Sequence, residues 1–355
     1  MVRVGLVVPV YKVREEYLRN CIESLCNQSF RDIQIILVDD CSPDNCGDIC
    51  EQYALKDNRI RVIHHTRNLG LPSARNTGIE ALDAEWVSFI DSDDWVDPDM
   101  CEKLISYVDK QENKPEVIIF SGYRNYLNYE LRSQPVYPDE TWFSAPDSID
   151  MLQRRSLTYT KKGYTPQAIN LDSACWKLIS TEFLRNKGLN FINVSYREDG
   201  LFFLYITQEA SGIVYLDQAF YHYRSTSNSM VNQYRERADS EHMHYLQEVT
   251  KFARKYNKSS DWLHDFYYTV FLSMQICITQ KFFNKENPNS YFARRKECKA
   301  LFKEWPFCDV LKNLNIRDLR RNHMIKGLCI RLGWYGGVSV LRSLYLAMNK
   351  RKSYE

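Results

Sequence analysis

The chain has 355 residues, with 47 Lys and Arg against 45 Asp and Glu, for a formal net charge of +2. With 44% apolar and 26% charged residues it is neither a disordered chain nor a wholly basic nucleic-acid binder. No apolar run reaches the ~18 residues of a spanning helix, and the 11 cysteines, an odd number in a long chain, point to reduced thiols and a cytoplasmic protein.

Met1 to Pro9 is too short for a signal peptide and lacks a small-residue cleavage site, so it reads as a strand. Short Val- and Ile-rich runs at Val4–Val8, Ile33–Val38, Ile60–His64, Trp86–Ile90 and Val117–Phe120 are predicted strands. Between the first two, Leu18, Cys21, Ile22, Leu25 and Cys26 recur at helical spacing on one face. Further helices are predicted over Asn45–Leu55, Ser73–Leu82 and Asp99–Lys110, the last introduced by Asp97 as N-cap and Pro98 at the first helical position. Strands alternating with helices predict an α/β fold with a mostly parallel sheet covered on both faces. Ligands of such sheets bind beyond the carboxyl ends of the strands.

Those ends are acidic. Asp39 and Asp40 follow the second strand, and Asp91, Ser92, Asp93 and Asp94 follow the fourth. Converging carboxylates repel one another unless a cation or a donor-rich ligand compensates them, and an all-oxygen Asp-x-Asp set suits Mg²⁺ or Mn²⁺. A Ca²⁺ loop is the competing reading, with Asp91, Asp93, Asp97 and Glu102 in register. It fails because Trp95 and Val96 stand where that loop needs a ligand and a turn-forming Gly.

Four motifs occur in order: Val8-Pro9-Val10-Tyr11, Ile36 to Asp44 with its Asp39-Asp40-Cys41-Ser42 core, Arg67-Asn68-Leu69-Gly70 running to Gly78, and Phe89-Ile90-Asp91-Ser92-Asp93-Asp94-Trp95. The series resembles family 2 glycosyltransferases, the inverting GT-A enzymes of bacterial capsule, exopolysaccharide and O-antigen assembly. The strong similarity covers about residues 3–110, with weaker echoes to about residue 226. The resemblance implies a GT-A Rossmann-like domain over residues 1–230, and the charge and helical pattern of the remainder predict a basic helical region over 231–355. It implies a metal-dependent glycosyltransferase acting on a nucleotide-sugar, a UDP-sugar foremost, with a glycan or lipid-linked glycan as acceptor.

Residue by residue, the resemblance places Pro9, Tyr11, Asp39 and Asp40 in the nucleotide-base pocket, with Ser92 nearby. A carboxylate there accepts the uracil N3–H, and the Tyr11 ring offers a stacking face. Arg67 and Arg75 fall near the diphosphate. Asp91 and Asp93 match the element that holds Mn²⁺ or Mg²⁺ against that diphosphate, and His222 resembles a residue that completes the metal site in some relatives. Glu198-Asp199 looks like the family's acidic pair, with Asp199 as general base and Glu198 orienting the acceptor. Trp176 and Lys177 match a segment that faces the acceptor sugar and a phosphate. Gly70 and Gly78 are equally explained by a turn and by close packing.

Other motifs are set aside. Cys41, Cys46 and Cys50 with His64 and His65 lack zinc-ligand spacing, and no Gly-x-Gly-x-x-Gly, Gly-Lys-Ser/Thr or Gly-x-Ser-x-Gly occurs. Two rivals remain: a nucleotidyltransferase, for which Pro9-Val10-Tyr11-Lys12 replaces the usual Gly-rich loop, and a catalytically silent relative.

Residues 112–175 read as irregular and Tyr-rich outside the strand at 117–120, and the pattern turns helical after about residue 232. Charge divides unevenly: residues 1–230 carry 24 Lys and Arg against 33 Asp and Glu, whereas residues 231–355 carry 23 against 12. The last stretch, Met324 to Lys352, mixes apolar and basic residues around Gly333, Gly336 and Gly337, which predicts two short helices. Two readings stay open for it: a basic amphipathic segment on the anionic inner face of the plasma membrane, or a cap on the catalytic domain or on a second copy in a homodimer.

Overall fold

The computed structural model describes residues 1–163, 169–225 and 233–352. Strands and helices alternate from the start: β1 (Val2–Val10), α1 (Glu15–Cys26), β2 (Ile33–Asp39), α2 (Cys46–Ala54), β3 (Ile60–His64), α3 (Leu71–Ala81), β4 (Ala84–Phe89), β5 (Trp95–Val96), α4 (Met100–Lys110) and β6 (Val117–Asn125). Next come β7 (Glu130–Arg132), β8 (Thr141–Phe143), α5 (Pro146–Leu157), β9 (Lys177–Ser180), α6 (Thr181–Lys187), α7 (Glu198–Glu209) and β10 (Ile213–Arg224). The rest is helical: α8 (Ala238–Lys255), α9 (Ser260–Ile276), α10 (Tyr291–Leu301), α11 (Phe307–Asn313), α12 (Arg321–Arg331) and α13 (Tyr335–Lys352).

Among the described residues the strands form one sheet in the order β3-β2-β1-β4-β9-β6-β10-β5, with β7 against β6 and β8 against β10. Its first four strands are all parallel, as are β6 and β10. β9 runs antiparallel between β4 and β6. The apolar runs of β1 and β2 are continuous because both faces are covered: Leu6, Val7, Val8, Ile35, Ile36 and Leu37 are all buried. This is the α/β architecture with a helical C-terminal region that the pattern predicts.

Three local expectations change. Helix α4 begins at Met100 after Asp99, so Asp97 does not cap it, and the Asp97 carboxylate turns to His222 instead. The stretch expected to be irregular holds β7, β8 and α5 besides the remainder of β6. Its strands are short, and their pairing partners lie about 70 residues away, for β8 on β10, or across a tight hairpin, for β7 on β6. The tail does form two helices, broken at Gly333, whose φ of +69° is a left-handed turn that favours glycine. Gly336 and Gly337, however, lie within the first turn of α13, which runs for 18 residues.

The chain divides into two compact units, one of Met1–Gln153 with Gln167–Thr226, the other of Arg154–Pro166 with Ser227–Glu355. In the second, Trp262, Phe252, Tyr268 and Phe271 form the core, and the segment after Gln153 belongs to it through Asp265. That buried carboxylate takes Arg154 Nε at 2.7 Å and Lys161 Nζ at 3.0 Å. All eleven cysteines are free thiols. Among the described residues no helix is long and apolar enough to cross a membrane.

Candidate functional site

The candidate site lies within the first unit, at the carboxyl ends of β1, β2 and β4. Val10 ends β1 opposite Asp39, and the Asp40 N–H donates to the Val10 carbonyl at 2.9 Å. Tyr11 follows with its side chain half exposed, so its ring face is open to a ligand, whereas Pro9 is buried in the strand. Both predicted base-pocket carboxylates are buried and already have partners. Asp39 accepts from the Ser42 N–H at 3.0 Å and faces His64 Nδ1 at 2.9 Å. The His64 pKa is raised by hydrogen bonds to Asp39 and to Glu51.

Asp40 accepts from the Leu69 and Gly70 N–H groups, both at 2.8 Å, and from His65 at 2.7 Å. It therefore ties the end of β2 to the turn that launches α3. Gly70 has φ +88° in that turn, and Gly78 packs so closely on Val7 that a Cβ would collide with it. Arg67, in the same turn, is exposed.

Arg75 departs from the expectation of a diphosphate ligand. It is fully buried on α3, where its guanidinium serves three carboxylates from other segments. Its Nη2 is 2.9 Å from Asp91, while its Nη1 is 3.3 Å from Glu198 and also hydrogen-bonded to Asp199. Its planar fork suits that multiple demand, which a single ammonium does not meet. Carboxylates without a cation would not stay ionised in such a place. The resemblance placed Arg75 beside the ligand, whereas two of the three carboxylates that enclose it, Glu198 and Asp199, lie more than 100 positions away in the chain.

Asp91, Ser92 and Asp93 are partly buried just past the end of β4, while Asp94 is buried. The loop is held from β10. The Tyr221 hydroxyl donates to Asp94 at 2.7 Å and accepts from the Asp91 N–H at 3.1 Å. The Arg224 N–H donates to Asp94 at 2.7 Å, and Arg224 Nε donates to the Asp93 carbonyl at 2.8 Å. The Arg224 guanidinium lies between the rings of Tyr17 and Trp95. Burial and then the neighbouring Asp91 charge push the Asp93 carboxyl up to about 6, and burial with the charges of Asp93 and Asp91 raises the Asp94 carboxyl well above its ordinary range. This excess of negative charge, borne on hard oxygen donors, fits a divalent cation.

His222 has other partners. Its Nε2 is 3.0 Å from Asp97 and its Nδ1 2.9 Å from Glu130, and its ring is stacked between Trp95 and Tyr123. With both nitrogens engaged, His222 would have to release a carboxylate before it could bind a metal. Among the described residues no three His, Cys, Asp or Glu side chains converge as a metal site.

Glu198 and Asp199 are the first two residues of α7, where the helix N-terminus favours negative charge. The turn before them is fixed by Arg197, at φ +53° and paired with Asp172. Asp199 also accepts from the Ala174 N–H at 3.1 Å. Its pKa is raised by burial and drawn back by Arg75, and that of Glu198 is raised by burial and by the Asp199 charge beside it. Asp199 thus has a fixed orientation, partial exposure and an above-normal pKa, the attributes of a general base.

The predicted acceptor residues lie inside the protein. Trp176 is buried against the Tyr221 ring, and Lys177 is fully buried, with its Nζ donating to the Leu171 carbonyl at 2.8 Å and to that of Ser173. Burial lowers the Lys177 pKa to about 8. Lys177 braces the 171–176 loop, whose Ala174 N–H positions Asp199, instead of reaching a phosphate. Tyr221, Arg224, Asp172 and Arg197 support the site as well. Sequence reading missed those roles, although Tyr221 and Arg224 flank His222, which it singled out.

A family model described as glycosyl transferase family 2 matches residues 6–184. An uncharacterized glycosyltransferase, EpsJ, from Bacillus subtilis is 32% identical over 233 residues, 64% of this chain and 62% of that protein, so the match spans just under two thirds of that relative. Among solved structures, Staphylococcus aureus TarS 1-349 in complex with UDP-GlcNAc aligns with a TM-score of 0.59 at 17% identity, covering 97% of this chain and 92% of that one. The mannosyltransferase PcManGT from Pyrobaculum calidifontis, in complex with GDP-Man and Mn²⁺, aligns with a TM-score of 0.50 at 13% identity over 97% and 87%. At such identities these two structures establish likeness of fold.

Proposed function

Because the chain belongs to glycosyl transferase family 2, we propose that it transfers a sugar from a nucleotide-sugar, a UDP-sugar foremost, to a hydroxyl of a growing surface glycan with inversion at the anomeric carbon. The observation that carries this reading is the cluster in which Arg75 joins Asp91, on the donor side, to Glu198 and Asp199, on the acceptor side. The UDP-GlcNAc held by TarS supports the donor class. Residues 1–230 are the catalytic domain in this reading, and 231–355 an accessory helical region.

Tyr11 and the carboxylate-braced loops around Asp39 and Asp40 cradle the base, and exposed Arg67 is free to meet the diphosphate. Asp91 and Asp93 would supply two oxygens to Mn²⁺ or Mg²⁺, leaving the remaining positions to diphosphate and water, as Mg²⁺ is commonly bound. The bound ion would act as a Lewis acid that neutralises the departing diphosphate. Asp199 takes the acceptor proton as the hydroxyl oxygen attacks the anomeric carbon, and the bond from that carbon to the diphosphate oxygen breaks on the opposite face. Glu198 orients the acceptor.

Asp93→Ala is expected to abolish the gain in UDP affinity that Mn²⁺ confers, as read by calorimetry with and without the ion. An undiminished gain counts against the assignment. A screen of UDP-, GDP- and dTDP-sugars tests the activity itself, because release of pyrophosphate in place of nucleoside diphosphate would mark a nucleotidyltransferase.

For the accessory region we propose contact with an anionic lipid surface at the inner face of the plasma membrane. Residues 319–354 hold eight Lys and Arg and no Asp or Glu. Ile325, Leu328 and Leu332 fall at i, i+3 and i+7 on α12 and its end, all exposed, with exposed Trp334 beyond them. The full chain is expected to sediment with phosphatidylglycerol vesicles and not with phosphatidylcholine vesicles, and to be released by salt. Leu328→Ser with Leu332→Ser should weaken that binding. Concentration-dependent dimerisation without vesicle binding would assign this face to a second copy.

A further inference from the structure

The second unit holds a cleft of about 330 Å³ where the end of α8, the turn into α9, and the residues just before α11 meet. This volume is at the lower end of the ~300–1,000 Å³ of small-molecule sites, room for one or two sugar rings. Thr250, Arg254, Asn257, Lys258, Tyr267 and Trp305 are among the residues that line it. None of its lining residues is acidic. Ala253, Leu263, Phe266 and Pro306 make much of the rest apolar, and the polar groups include two cations, so the cleft suits a ligand with an apolar face and a negatively charged group.

The aromatic part is equally specific. Trp305 is 44% exposed although Pro306 beside it is buried, so a large flat ring is held at the edge of the cleft by an anchored neighbour. The Arg254 guanidinium stands 6.0 Å from the centre of that ring. Lys258, the second cation of the lining, has its ammonium 5.8 Å and 6.0 Å from the ring centres of Phe252 and Trp262. An exposed indole beside a cation is suited to a pyranose: the ring packs on the apolar face of the sugar, and the cation meets its acidic substituent.

We propose that this cleft binds an acidic saccharide, a sugar unit carrying a carboxylate or a phosphate, as a holding site for a glycan chain separate from the residues that perform transfer. The ligand class rests on the reading that the enzyme extends a glycan. Trp305 supplies the stacking surface, Arg254 and Lys258 supply the charge, and Asn257 and Tyr267 supply hydrogen bonds to hydroxyls. The sharp increase in basic residues after residue 230 accords with an acidic polymer as ligand.

The test is calorimetry on the full chain with four probes: trigalacturonate, a phosphorylated disaccharide, maltotriose and inorganic phosphate. Trigalacturonate or the phosphorylated disaccharide is expected to bind, and which one does identifies the acidic group. Trp305→Ala and Arg254→Gln should each weaken that binding by roughly tenfold or more, with Trp305→Phe retaining most of it and Tm unchanged. Binding of inorganic phosphate as tight as that of the acidic sugars, or affinity unaltered in Trp305→Ala, overturns the proposal, as does failure of both acidic probes. UDP binding measured in parallel keeps the two readings apart. Loss of UDP binding in the wild-type chain would sink the donor assignment and leave the cleft assignment standing.

Discussion

Asp199→Asn is expected to lower sugar transfer by about 10²–10⁴-fold, the scale of a lost general base, while UDP affinity stays within about twofold of wild type. The reason is geometric. Asp199 accepts from both Arg75 and the Ala174 N–H, one on each carboxylate oxygen, so its orientation is fixed. Asparagine keeps the shape but not the basicity. It also cannot satisfy both donors, since one of its two positions is now an amide N–H, and that adds a stability cost of roughly 1–3 kcal/mol. The variant should therefore show a lowered Tm along with near-silent transfer. Glu198→Gln is the control: its tie to Arg75 is longer, and its loss should fall mainly on acceptor KM. If Asp199→Asn retains a substantial part of its turnover while Glu198→Gln does not, the base is Glu198. In the wild-type enzyme the acid limb of the rate profile should lie above the ordinary carboxylate range, because burial raises the pKa of Asp199.

The largest effect on stability is expected at Arg75. Arg75→Met removes the cation shared by Asp91, Glu198 and Asp199 and leaves their charges in a poorly solvated place. Breaking a buried ion pair by removing one partner costs about 3–5 kcal/mol, which for a unit of this size is a fall in melting temperature on the order of 10 °C. The pH dependence carries a definite sign. Burial already raises the pKa values of Glu198 and Asp199, and Arg75 draws them back. Without the guanidinium they rise further above their unfolded values, so the folded chain binds more protons than the unfolded one. The variant then gains stability as pH falls towards the folded-state values and loses it as pH rises. Thermal melts between pH 5 and pH 8 read this directly, and a variant whose loss is the same at both ends would contradict the charge argument. Arg75→Lys should fall between, since an ammonium cannot span the positions of both terminal nitrogens.

How far the sequence alone reached depended on the range of the interactions. β1 to β4 and the helices between them were legible because each is set by local apolar periodicity and by burial on both sheet faces. The positions of Asp91, Glu198 and Asp199 at element ends were legible for the same reason. The partners of those ends were not. Lys177 looks like an exposed phosphate ligand until the 171–173 carbonyls are seen to enclose it, and His222 looks like a metal ligand until Asp97 and Glu130 take its two nitrogens. Arg75 lies in a motif whose other members surround a turn, yet its own side chain points into a cluster assembled from three segments. Helix α5 was missed because its amphipathic pattern sits among short, Tyr- and Pro-rich stretches that carry no strand or helix period.

The shared guanidinium also bears on protein engineering. Anyone grafting α7 from one relative onto the α3 of another, to retune which hydroxyl is glycosylated, would splice together halves of one electrostatic balance. The transferable part is the set of positions 75, 91, 198 and 199, and a chimaera that moves fewer of them inherits an unmatched charge. Measured changes at these positions will not sum, so libraries that vary them one at a time will undervalue combinations that only work together.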